Sequence, residues 1–363
     1  MTIKTIASIV GARPQFVKAA PLSRALATVF DEKLIHTGQH YDYGMSDVFF
    51  EQLGIAPHYN LGVGSGSHAG QTGGMMIALE RLLDEMKPDL VLVYGDTNST
   101  LAGALVAAKA RIPLAHVEAG LRSYNRAMPE EINRVVADHL SDILFCPTDV
   151  AVQNLAKEGI RQNVHQVGDV MYDALLYNLA QARGRSTILA DLDLQSGKYA
   201  LVTVHRAANT DHPANMTAIL TALGRLPTRI VFPLHPRTRK LLAHYGLSAP
   251  PNVSLLEPVG YFDMLILEEN ADCILTDSGG MQKEAYLLGV RCITLRDETE
   301  WVETVQAGWN TLAGARSEAI QDAYENWRPR GERPALYGDG HAAEKICTVL
   351  REWKFSSKQS GSV

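Results

Sequence analysis

Three carboxylates stand where an α/β chain collects reactive groups. Asp96 lies in the turn Gly95-Asp96-Thr97-Asn98-Ser99 directly after the apolar run LVLVY, and Glu118 follows LAHV with Ala119-Gly120 beyond it. Such runs read as parallel strands, and open α/β sheets bind their ligands beyond the C-terminal strand ends. Carboxylates at two of those ends point to proton transfer, because a crowded site can hold two acids in different protonation states. Spacing alone serves equally well for an Asp96 that caps the next helix. Pro129-Glu130-Glu131-Ile132-Asn133-Arg134 reads as a helix start, with proline in the first turn and acids at the positive end of the dipole. A Glu130 turned toward the same crevice adds a third carboxylate.

The complementary groups are cations and bare backbone. Gly11-Ala12-Arg13-Pro14-Gln15 ends the first strand and opens a helix, so Arg13 and Lys18 fall at a sheet edge that favours anions. His205 ends the run ALVTV and His235 ends IVFPL; each either faces a ligand or is an ordinary structural histidine. The sharpest local signal is Thr276-Asp277-Ser278-Gly279-Gly280-Met281-Gln282-Lys283-Glu284, which follows a strand and opens a helix. Ser278, Gly279 and Gly280 offer backbone N–H groups to a phosphate, and Glu284, further along, can accept from ribose hydroxyls. Gly64-Ser65-Gly66-Ser67-His68-Ala69 matches a dinucleotide fingerprint but lacks a good strand before it. His36, His40 and Asp42 fit no standard metal spacing, so no metal and no cofactor is expected.

These groups need strands and helices in alternation, and the chain supplies them. Apolar β-branched runs at 6–10, 34–37, 90–94, 114–117 and 143–146 alternate with helical patterns such as 69–86 and 101–110, and a second series follows at 200–204, 230–233, 253–255, 273–276 and 292–295. The expected fold class is α/β, with two doubly wound Rossmann-like domains facing a cleft. Residues 1–170 form the first domain, joined by a C-terminal helix at 341–355; 171–340 form the second, and 356–363 a frayed tail. A chain of 363 residues is long for one core. Its net charge of −6 argues against coating nucleic acid. Four cysteines without paired spacing read as reduced thiols, and no apolar stretch is long enough for a bilayer. A cytoplasmic protein is expected.

Several separate motifs in one order, GARPQFVKAAP, YGDTNSTLAGALVAA, HVEAGLRS, PEEINR, TDSGGMQKEA and LYGDGHAAEKI, resemble the UDP-N-acetylglucosamine 2-epimerase family over nearly the whole chain. The resemblance implies a GT-B-like fold, a UDP-sugar substrate, a homodimer and a role in surface polysaccharide precursors. It implies acid/base roles for Asp96, Glu118 and Glu130, and substrate contact near the diphosphate for His205. Arg13, Lys18, Met264, Ser278, Gly279, Gly280, Glu284 and Arg134 are implied as substrate-binding. The sugar's C2 hydrogen has no neighbouring carbonyl, so the implied route eliminates UDP to a 2-acetamidoglucal and adds it back from the other face. A glycosyltransferase of the same plan and a hydrolysing epimerase are the competing readings.

Three departures bear on the sugar. Trp301 stands where the family usually has arginine, Gly70 where an effector-site arginine is expected, and the loop between Glu118 and Glu130 is short. These resemble the branch acting on UDP-2,3-diacetamido-2,3-dideoxy-glucuronate. Trp301 then offers a flat surface to an acetamido methyl, and Arg122 or Arg126 a cation for the C6 carboxylate.

Overall fold

A computed structural model describes residues 3–39 and 54–353, the Arg13 side chain excepted. His40, Asp42 and the 356–363 tail lie outside the described residues. The chain divides into two compact units, Met1–Tyr177 with Leu336–Val363, and Asn178–Ala335.

The first unit holds a parallel sheet of β1 (Thr5–Val10), β2 (Asp31–His36), β3 (Tyr59–Asn60), β4 (Leu90–Tyr94), β5 (Leu114–Val117), β6 (Ile143–Cys146) and β7 (Val164–Gln166), in the order β3-β2-β1-β4-β5-β6-β7. The second holds β8 (Tyr199–Thr203), β9 (Arg229–Pro233), β10 (Val253–Leu256), β11 (Cys273–Thr276), β12 (Arg291–Thr294) and β13 (Asn310–Leu312), in the order β10-β9-β8-β11-β12-β13. Both are doubly wound, and the strand order reverses between β1 and β4 in one sheet and between β8 and β11 in the other. Those switch points are where chemistry is expected.

The strands are apolar on both faces because both are covered. In the first sheet Ile6, Val10, Leu92 and Tyr94 meet Phe16, Leu22 and Leu26, while Ile9, Val91 and Val93 meet Met75, Leu79 and Ala107. The helix Ala342–Glu352 adds Ala343, Ile346 and Leu350 to the first of these clusters, and Asp173 accepts from the N–H groups of Ala342 (3.1 Å) and Ala343 (2.7 Å) at its start.

Three short strands, β3, β7 and β13, were not expected. Each has only two or three residues and little apolar content, so hydrogen bonding to a neighbouring strand defines them, not their own pattern. The helix expected at 101–110 begins at Asn98, because Thr97 caps it by accepting from Ser99 N–H at 3.2 Å. No described helix is long and apolar enough to cross a membrane.

Candidate active site

At the first switch point, the turns after β1, β4 and β5 are tied together by buried polar side chains. Gln15 accepts from Gly11 N–H at 2.8 Å and donates to the Tyr94 carbonyl at 2.7 Å, which locks the start of the helix Arg13–Leu26 to the end of β4. Arg13 opens that helix; its side chain lies outside the description. Gly95 has φ +59°, and a Cβ there would lie 3.1 Å from Glu118 Oε2 and 3.3 Å from Lys18 Nζ. Glycine makes this turn without strain, and a side chain here would crowd that pair.

Asp96 does not cap the next helix, since Thr97 does. Its carboxylate instead pairs with the Arg134 guanidinium. Arg134 also reaches Glu131 at 3.0 Å, so here it orients Asp96, which adds to the substrate contact expected of it. Glu131 in turn accepts from Ser123 N–H (2.9 Å), Ser123 Oγ (2.8 Å) and Tyr124 N–H (2.9 Å). Burial works against its ionisation, but those donors and Arg134 outweigh it and hold the carboxyl below the usual range.

Glu118 sits at φ +69°, a left-handed conformation that costs a non-glycine residue about 1 kcal/mol or more. Its carboxylate pairs with Lys18. Burial alone would lower the Lys18 ammonium's pKa; Glu118, Asp96 and Asp169 more than offset this and raise it. An anion approaching Lys18 therefore meets a neutralised pair, which sets this lysine with the carboxylates as well as with the expected anion contacts. Glu130 is exposed in the first turn of the helix Pro129–Leu140, one turn before Arg134 and on the same face.

Arg122 was expected to offer a cation to a substrate, and the structure corrects this. Its side chain is 1% exposed and fully engaged, with Asp138 at 2.6 Å and both Glu158 oxygens at 2.7 Å. Arg126 is exposed.

The second switch point is organised by Asp277, which is fully buried. It accepts from the N–H of His205 (3.1 Å) and Arg206 (3.0 Å) and from Asn209 Nδ2 (3.1 Å), and its Oδ1 lies 3.2 Å from His205 Nδ1. Burial would raise its carboxyl, but His205 and these donors hold it below the usual range. His205 keeps 43% of its side chain exposed, presented by a fixed carboxylate. His235 instead caps the helix Pro236–His244 by accepting from Arg237 N–H. With Pro258, Val259 and Met264, the two histidines line a cleft of about 240 Å³.

Ser278 caps the helix Gly279–Leu288, and Gly279 and Gly280 are its first two residues. A Cβ on Gly279 would fall 1.9 Å from Glu300 Oε1, so a carboxylate already lies over this helix start, where an anion is favoured. Arg296 (2.8 Å) and Arg206 (3.6 Å) hold it. Trp301 is not the open flat surface expected of it: its indole N–H donates to the Gly279 carbonyl at 2.8 Å and Lys283 Nζ lies 4.6 Å from the ring centroid. It braces the glycine turn. Glu284 is partly exposed, and burial pushes its carboxyl up to about 7 despite Lys283. Buried Glu268 is pushed well up by burial and by the Glu284 charge.

Sequence reading missed His116, Glu131, Asp138 and Asp277 as supports. Glu131, Arg134 and Asp138 share a helix face at three- and four-residue steps, a signal that could have found Glu131 and Asp138.

Comparison with known proteins supplies the family. The model for UDP-N-acetylglucosamine 2-epimerase matches residues 24–351. The chain is 53% identical over 353 residues to a UDP-N-acetylglucosamine 2-epimerase homolog of Methanococcus maripaludis, covering 95% of this chain and 99% of the relative. It is 47% identical over 356 residues to UDP-2,3-diacetamido-2,3-dideoxy-D-glucuronate 2-epimerase of Pseudomonas aeruginosa, covering 95% and 99%. The solved UDP-GlcNAc 2-epimerase of Methanocaldococcus jannaschii superposes with a TM-score of 0.87 at 42% identity, over 96% of this chain and all of that one. A likeness that spans both sheets and every turn just described leaves one assignment: the chain belongs to the UDP-N-acetylglucosamine 2-epimerase family and is an enzyme of that epimerase type.

Proposed function

We propose that the enzyme inverts C2 of UDP-N-acetylglucosamine, giving the manno epimer still joined to UDP, through a 2-acetamidoglucal. The observation that carries this reading is the pair of carboxylates on neighbouring strand ends, each held by a different kind of cation. A guanidinium cannot give up its proton, so Arg134 faces Asp96 as a fixed positive charge. Lys18 gives Glu118 an ammonium partner that can carry a proton.

One carboxylate takes the C2 proton as the C1–O bond breaks; its electron pair leaves on the diphosphate and a C1–C2 double bond forms. UDP then re-adds at C1 while an acid protonates C2 on the opposite face, and the roles exchange in reverse. Glu130 is the third candidate for these transfers. The reading assigns UDP to the second unit: the base to the cleft beside Met264, ribose to Glu284, and the diphosphate to Ser278, Gly279, Gly280 and His205, with Arg13 as a further contact. There phosphate replaces the Glu300 carboxylate.

With Arg122 engaged, the uronate has lost one of its two candidate cations. Exposed Arg126 and the 47% identical Pseudomonas relative keep the diacetamido uronate as the second reading. Each nucleotide sugar is incubated separately in heavy water and followed by NMR. The expected product is a UDP-linked 2-epimer of UDP-GlcNAc with deuterium at C2. Free sugar indicates hydrolysis, isotope-free epimer removes the elimination route, and turnover of the uronate alone selects the second reading.

UDP binding should also depend on pH through Glu284. Below about 7 its carboxyl is protonated; above, it is the stronger acceptor for ribose hydroxyls. Calorimetry is expected to show UDP affinity rising several-fold as pH climbs through 7, and Glu284→Gln should flatten that rise. An unchanged profile in the variant removes Glu284 from the ribose site.

A further inference from the structure

Among the buried titratable groups that the mechanism leaves unused, one lies between both catalytic turns. His116, on β5, is fully buried. Its Nε2 lies 2.7 Å from the Gly95 carbonyl, the peptide that leads into Asp96, and its Nδ1 lies 2.7 Å from Asp138 Oδ1. A carbonyl oxygen only accepts, so Nε2 must carry a proton. The other oxygen of Asp138 accepts from Gly120 N–H (3.1 Å) and from Arg122 (2.6 Å).

Asp138 is itself held from the other side: buried Arg122 pairs with it and with Glu158, whose side chain is 25% exposed and lies 3.3 Å from His139.

We propose that His116 is a positioning residue for the epimerisation, pinning the Asp96 turn through Gly95 and the Glu118 turn through Asp138 and Gly120. This role rests on the functional reading above. The same helix that carries Asp138 carries Arg134, on Asp96, and Asn133, whose Nδ2 donates to the Asp96 carbonyl at 2.9 Å. His116 thus couples the two proton-transfer groups to one rigid support. A small shift between them is enough to lose catalysis, because proton transfer demands that both reach one carbon.

His116→Gln should lower kcat on the order of a hundredfold with KM and UDP affinity nearly unchanged. Asp138→Asn, which keeps the shape and alters the partner of the ring's Nδ1, should lower kcat likewise, and serves if His116→Gln does not fold. Normal kcat in either folded variant, or a loss confined to KM, overturns the proposal. Wild-type enzyme that turns over no UDP-sugar would refute the functional reading instead.

Discussion

Asp96→Asn, Glu118→Gln and Glu130→Gln are each expected to slow epimerisation by at least roughly a hundredfold while UDP still binds, the usual scale for losing a general acid or base. The amides keep size and shape, so the loss reports proton transfer. At Asp96 the variant removes the charge that Arg134 faces, leaving that guanidinium with Glu131 alone. At Glu118 it removes the charge paired with Lys18, leaving that largely buried ammonium with the charges of Asp96 and Asp169 alone. Calorimetry with UDP separates the effects, since the proposed nucleotide contacts are mostly elsewhere in the chain. A variant that epimerises near the normal rate would cost that residue its role. Glu130 is the most exposed to this outcome, because it is the one carboxylate of the three with an open, solvent-facing position.

Arg122→Ala should destabilise the protein by about 3–5 kcal/mol, the cost of stripping one partner from a buried ion pair. A fall in Tm of roughly 10 °C is the corresponding scale. The variant leaves Asp138 and Glu158 without the cation between them, and the Leu121 carbonyl without its donor. Arg126→Ala is the contrast, an exposed change expected within about 0.5 kcal/mol. Acid sensitivity gives a second readout. Burial would raise Asp138, but His116 and Arg122 hold its carboxyl low, and the Arg122 hydrogen bond holds Glu158 low. Groups that ionise more readily when folded stabilise fully above the ordinary carboxylate range near pH 4 and lose that contribution as pH falls below it. Arg122→Ala should shrink this acid-side dependence. Equal melting temperatures for the two variants would show that Arg122 is not structural.

The strand ends were readable because a buried parallel strand leaves an unbroken apolar run, and the turn that follows has nowhere to go but the sheet edge. That alone put Asp96, Glu118, His205 and the Ser278-Gly279-Gly280 turn at C-terminal strand ends. The strand runs at 90–94, 114–117, 143–146 and 273–276 match the structure residue for residue. What the sequence could not determine was who pairs with whom. Lys18 and Glu118 are a hundred positions apart, and Arg134 meets Asp96 across 38. Such partners are brought together by sheet order, and local pattern carries no record of it. The arginines show the consequence most clearly. Arg122 and Arg126 look alike in the loop, four residues apart, yet one is sealed between two carboxylates and the other is in water. Trp301 likewise reads as an open ring until its N–H is seen on the Gly279 carbonyl. Composition and spacing determine which groups are present and which edge they reach; burial and pairing decide which of them remain free to act.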